Sequence, residues 1–269
     1  MPDPGDLWRI KKRSLAAARR ALRAADPEGL HDLRVALRRI SATADALDHR
    51  RLAKRSRTLV RSFSDLRRLE VERLLLSRVR ELSLFSSEAA AGLEARWNAL
   101  WRDGTKEALR AVDRHKTGKL LRELSTLSHR EKPNVLQRLW DKQRRAETNL
   151  AGLAAEPSDR ELHRYRLAVK KARYLAEDLT RLGERGLEET ITRGREIQDA
   201  LGRWNDTRLF RERLLRERSQ AEDRGAVTLA LELDRIIRTL ERTVESARRT
   251  ALDTVRRQDT SSTTSRQTA

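Results

Sequence analysis

Almost nothing in this sequence can interrupt a helix. Five Pro and eleven Gly punctuate 269 residues, and Pro2 and Pro4 lie at the start, leaving Pro27, Pro133 and Pro157 for the interior. Between them the chain is mostly Leu, Ala, Arg and Glu, which lose little on entering a helix. Strand signals are absent: aromatics are 4% of residues and no Val/Ile/Thr run alternates. The apolar spacing predicts an all-α chain with helices over 6–25, 28–48, 52–80, 87–113, 118–128, 134–153, 158–182, 187–218 and 224–257. Local signals mark several ends. Asp26-Pro27-Glu28 reads as an N-cap, a proline at the first helical position and an early acid. Ser158 with Glu161 reads as a capping box. Gly183 and Gly186 separate two periodic stretches, as helix-ending glycines do. The Ser/Thr-rich stretch 258–269 reads as a disordered tail.

A repeat organises these helices. Leu30-His-Asp-Leu-Arg-Val-Ala-Leu-Arg-Arg realigns on Leu162-His-Arg-Tyr-Arg-Leu-Ala-Val-Lys-Lys. The offset that carries His31 onto His163 also carries Leu7-Trp8 onto Leu139-Trp140 and Lys12-Arg13 onto Arg144-Arg145. Two separated matches at one offset predict two pseudo-symmetric copies, 1–128 and 131–257, each a four-helix bundle-like unit of one domain spanning 1–257.

Charge narrows the function. Sixty Lys and Arg face 41 Asp and Glu, a formal net charge of +19. That balance calls for a polyanionic partner: nucleic acid, polyphosphate or an acidic surface. The absence of Cys excludes disulfides and thiolate metal sites. No stretch approaches the roughly 20 apolar residues that span a bilayer, so no membrane partner is expected. The opening residues do not read as a secretory signal, and the expectation is a cytoplasmic protein.

The two histidine helices show where the charge gathers. At about 100° per residue, Arg34, Arg38 and Arg39 fall on the His31 side of the first, opposite Leu33, Leu37, Ile40 and Ala44. In the second, Arg166, Lys170, Lys171 and Arg173 fall on the His163 side, opposite Val169, Ala172, Leu175 and Leu179, and Tyr174 lies within reach of the basic face. Val35 and Leu167 interrupt these faces at equivalent places. Solvated faces ordinarily mix signs in i,i+4 pairs. Here the face stays basic for three turns in both copies, with Glu177 at its end, and like charges kept together twice imply an external anion. Two acid-free runs add to it. One holds Lys11, Lys12, Arg13, Arg19 and Arg20; the other holds Lys54, Arg57 and Arg61. Arg predominates, and its planar fork suits phosphate oxygens.

At these residues the chain resembles the CHAD family, the conserved histidine α-helical domain. The resemblance rests on the doubled pattern His31…Arg34-Val-Ala-Leu-Arg38-Arg39 and His163…Arg166-Leu-Ala-Val-Lys170-Lys171-Ala-Arg173. The second copy also carries Leu201-Gly202-Arg-Trp-Asn205-Asp206, similar to the family's Leu-Gly-x-x-Asn-Asp segment. The first-copy counterpart departs, with Arg68 after Arg67 where the family usually has Asp. The resemblance implies binding of inorganic polyphosphate by basic residues of both copies around a shared groove or pore, and association with polyphosphate granules. The contacts it implies are His31, Arg34, Arg38, Arg39, His163, Arg166, Lys170, Lys171 and Arg173. A second tier comprises Lys12, Arg13, Arg19, Arg20, Lys54, Arg57, Arg144 and Arg145.

The residues also speak against other classes. No P-loop, nucleophile elbow or HExxH appears, so no enzyme and no cofactor are expected. Glu28-x-x-His31 has di-iron ligand spacing, but Arg160 stands at the matching place in the second copy. The main rival is a sequence-independent nucleic-acid binder, perceptible in any protein this basic as weak salt-sensitive binding. Single-strand binders interleave aromatics with basic residues, which this chain does not. A further rival is a scaffold receiving an acidic protein segment. A convex basic surface would favour DNA, whereas a concave one would favour polyphosphate. The two histidines are expected to gain protons on anion binding, raising affinity from about pH 8 to 6.

Overall fold

The computed structural model describes residues 4–24, 26, 28–81, 85–113, 116–128, 134–148, 150, 153–154 and 156–267. Its first five helices are α1 (Pro4–Arg23), α2 (Gly29–Ala46), α3 (Arg50–Ser62), α4 (Ser64–Glu81) and α5 (Ser87–Asp113). The rest are α6 (Lys116–Leu127), α7 (Val135–Thr148), α8 (Asp159–Arg181), α9 (Glu188–Asp223) and α10 (Val227–Gln267). No strand occurs among the described residues, so the all-α expectation stands.

Several ends follow the local signals. Ser158 and Glu161 form the expected capping box, with the Ser158 backbone N–H donating to the Glu161 carboxylate at 2.8 Å and the Ser158 hydroxyl accepting from the Glu161 N–H at 3.3 Å. After α8, Gly183 takes a φ of 90° and the Glu184 N–H reaches back to the Leu179 carbonyl. That left-handed residue closes the helix as a glycine C′ does.

Other ends differ. Asp26 does not cap α2 directly; its carboxylate accepts from the Glu28 N–H at 2.9 Å, Glu28 occupies the N-cap, and Pro27 lies outside the described residues. The start of α2 is fixed instead by proximity. A Cβ on Gly29 would lie 2.5 Å from the Leu22 backbone nitrogen, so α1 and α2 approach too closely there for any side chain. The single helix expected over 52–80 is two, broken at Phe63. Phe63 is driven into the core at 1% exposure. Just before it, the Val60 carbonyl accepts from the Arg34 guanidinium at 2.7 Å and from the Ser64 hydroxyl at 3.2 Å. Such side-chain competition for helix carbonyls weakens the ladder. The tail also needs correcting, because α10 runs through Gln267 rather than ending near 257. No Gly or Pro follows Gly225, and Ser and Thr lower helix propensity without stopping a helix.

The chain divides into two compact units: Met1–Arg67 with Thr105–Arg195, and Arg68–Gly104 with Glu196–Ala269. Each unit therefore draws on both halves of the sequence.

In the first unit α2 is central, packing on α1, α3, α7 and α8. Its inward stripe, Leu33, Leu37, Ile40, Ala44 and Leu47, is at most 1% exposed, and α8 answers with Leu162, Val169, Leu175 and Leu179. Each such leucine contributes about 1.5–3 kcal/mol by leaving water. Trp8 is wholly buried and meets the His49 ring edge-on at 5.5 Å. Trp140 donates its Nε1–H to Glu184 at 2.8 Å. Both tryptophans thus serve packing. Lys11, 4% exposed, is tied to Asp178 at 2.8 Å, and Asp178 also accepts from the Thr43 hydroxyl. Burial pulls the Lys11 ammonium below its usual range, and Asp178 opposes that.

The second unit has its own core, built from Leu76, Val79, Leu93, Trp97, Phe210, Leu214, Leu233, Ile236 and Ile237. A buried carboxylate lies at its edge. Glu217 accepts from Trp97 Nε1 at 2.9 Å and from Arg96 at 2.7 Å, and pairs with Arg213 at 2.9 Å.

A cation-lined cleft in the first unit

The geometry that buries the apolar faces of α2 and α8 leaves their basic faces flanking a cavity of about 520 Å³. Arg38 enters it from α2, Arg57 and Arg61 from α3, and His163, Arg166, Lys170 and Lys171 from α8. Among the described residues the lining holds one carboxylate, Asp45. Ser41, Ser64 and Tyr174 contribute hydroxyls, and Leu167 is exposed at its wall.

The electrostatics are lopsided. Burial pulls the Arg38 guanidinium below its usual range; the Tyr174 phenol opposes this, and Arg166 and Arg67 add to it as like charges. No carboxylate acts on Arg38 among the described residues. At the other end, Lys171 donates to Asp45 at 2.7 Å, and Arg57 lies 3.6 Å from the same carboxylate. Burial would raise the Asp45 carboxyl, but Lys171, Arg57 and Lys142 together hold it below the usual range. A cluster of like charges with one anion to offset it raises the energy of the free cleft, and an entering anion relieves that cost.

The structure gathers part of the predicted set and disperses the rest. Arg38, Arg57, His163, Arg166, Lys170 and Lys171 line the cleft. Arg34 does not: it is 5% exposed, and its guanidinium serves the Val60 carbonyl. His31 is half-buried at the start of α2 and is not part of the lining. Arg39 and Arg173 are not in the lining; both pair with Glu177, at 2.8 Å and 2.9 Å. In the second tier, Lys12 donates to Ser125 at 3.1 Å and Arg144 lies over the Trp140 ring at 5.7 Å. Arg13, Arg20, Lys54 and Arg145 are exposed and Arg19 is half-buried, all away from the cleft lining. A helical wheel gives a side chain's azimuth but not the neighbour it meets, and so it grouped these residues with the true lining.

Arg61, Asp45 and Arg67 were missed. Arg61 had a signal, its place in an acid-free run shared with Arg57. Asp45 falls on the His31 face of α2 and Arg67 in the first-copy counterpart of the Leu-Gly-x-x-Asn-Asp segment, but neither position shows that it meets Lys171 or Arg38. Among the described residues no group of three or more His, Asp or Glu could hold a metal ion, and no helix is long and apolar enough to cross a membrane.

An all-helical protein with a cation-lined cleft is the class these features define. The chain belongs to the CHAD domain family, which it matches over residues 11–215. No curated protein matches it. Among solved structures it is similar to the CHAD domain from the plant Ricinus communis, with a TM-score of 0.74 and 19% identity over 94% of this chain and 89% of that one. It is also similar to PptA from Streptomyces chartreusis, with a TM-score of 0.70 and 18% identity over 94% of this chain and 99% of that one. At these identities the likeness is one of fold.

Proposed function

We propose that the chain binds inorganic polyphosphate in the cleft between α2, α3 and α8, as a binding domain rather than an enzyme. The observation that carries this reading is the convergence of seven basic or imidazole side chains on one concavity that holds a single carboxylate. A linear polyphosphate carries about one negative charge per phosphate, so a concave row of guanidinium and ammonium groups neutralises it without reading any base. Membership in the CHAD family, for which polyphosphate binding is the expectation, points the same way. Residence at polyphosphate granules would be the consequence. The lining carboxylate, Asp45, is held by Lys171.

The test is titration calorimetry with long-chain polyphosphate at roughly physiological salt. Arg38→Ala combined with Lys170→Ala is expected to weaken binding about tenfold or more and to lower the salt slope by about one unit per lost phosphate contact. Arg13→Ala combined with Arg145→Ala removes the same charge away from the cleft and is the comparison. Equal losses in both pairs would mean a generic basic surface and would favour nonspecific nucleic-acid binding, which the net charge of +19 supports.

A further inference from the structure

Two rings line the cleft, those of Tyr174 and His163. The Tyr174 ring is covered. The guanidinium of Arg39 lies over it at 5.5 Å from the centroid and that of Arg173 at 5.0 Å, and the residue is 6% exposed. Both cations are fixed by one buried acid. Glu177, 8% exposed, accepts a hydrogen bond from Arg173 at 2.9 Å and makes a 2.8 Å ion contact with Arg39. The stem of Arg173 lies against Gly194 on α9, where an added Cβ would be 3.1 Å from the Arg173 Cβ. The next residue, Asp178, ties the same turn of α8 to Lys11 on α1 and Thr43 on α2.

We infer that this assembly sets the ligand class of the cleft: Glu177 keeps two guanidinia over the Tyr174 ring, so the cleft admits base-free oxyanion chains and discriminates against single-stranded nucleic acid. This rests on the polyphosphate reading and adds to it the residues that confer selectivity. Single-strand binders gain affinity by stacking bases on exposed aromatic faces. Here a base reaches the larger ring only by displacing Arg39 and Arg173. That would break both close contacts to Glu177 and leave its buried carboxylate with Arg195 at 4.0 Å, which is unfavourable. A phosphate chain meets no such obstacle.

The test compares dissociation constants for polyphosphate and for an oligouridylate of equal phosphate number at one salt concentration. Every protein carries His163→Gln, so the second ring contributes nothing. Arg39→Ala with Arg173→Ala uncovers the ring. Lost charge weakens both ligands alike, so the ratio isolates stacking, and it is expected to move about fivefold or more toward oligouridylate. Should circular dichroism show that the double variant is unfolded, Arg39→Leu alone, at a residue whose side chain is 30% exposed, is read for a smaller shift in the same direction. A ratio that stays within about twofold in a folded, uncovered variant overturns the inference. Wild-type protein that fails to bind polyphosphate overturns the functional reading instead, so the two failures are distinguishable.

Discussion

Arg34 and Arg38 sit one turn apart on α2 and meet different surroundings. Arg34 turns to α3, where it holds the Val60 carbonyl at 2.7 Å; Arg38 turns to the cleft, among Arg166, Arg67 and the Tyr174 phenol. Arg34→Ala is therefore expected to cost about 1–3 kcal/mol in denaturant unfolding, the range for a buried hydrogen bond to a charged group. Arg38→Ala should leave stability nearly unchanged and weaken anion binding. Opposite results for the two would mean that the assignment of structural and ligand roles is inverted. Asp45 gives a pH signature. Its folded-state carboxyl lies below the usual range, so it takes up a proton less readily when folded than when unfolded. The stability it confers is then present above the unfolded pKa of about 3.9 and is lost as pH falls through the lower folded value. Between pH 5 and 3 the wild type should lose more stability than Asp45→Asn, by less than about 1 kcal/mol because the side chain is 41% exposed. Equal pH profiles from thermal melts would count against the Lys171–Asp45 pairing.

At the scale of elements, what could be read from sequence was what short-range chemistry decides. The capping box at Ser158 needs only residues three apart, and it is present. The glycines after α8 needed only their own backbone freedom. The break at Phe63 was not legible, because it depends on Arg34, which is distant in sequence, and on burial of the Phe63 ring. Gly29 was equally silent: nothing local shows that the α1 backbone passes within 2.5 Å of where its Cβ would be. Two substitutions separate these cases. Ser158→Ala should cost about 1 kcal/mol, the usual loss of a cap. Gly29→Ala should cost about 1–3 kcal/mol or more, since it forces α1 and α2 apart at backbone atoms. If Gly29→Ala melts no lower than Ser158→Ala, the close crossing of α1 and α2 is wrong.

For the whole molecule, the sequence showed that charge of one sign is concentrated on two related helices, and the structure shows how little of that charge is left to face a ligand. Of nine first-tier residues, five line the cleft: Arg38, His163, Arg166, Lys170 and Lys171. Arg34, Arg39 and Arg173 were drawn into holding the fold, by the Val60 carbonyl and by Glu177. Periodicity could not foresee this, because a guanidinium on a basic face is equally able to bind a carbonyl, a buried acid or a phosphate. The net charge of +19 also means that nonspecific attraction to any polyanion accompanies whatever the cleft does. Affinity for polyphosphate alone is thus a weak criterion, and selectivity is the stronger one. The measurement that bears most directly on the central claim is a competition titration. Labelled long-chain polyphosphate is held on the purified protein at roughly physiological salt and challenged with duplex DNA at equal phosphate concentration. The cleft predicts that DNA leaves polyphosphate bound and that unlabelled polyphosphate displaces it. Displacement by DNA at equal phosphate would contradict the claim and leave only a basic surface.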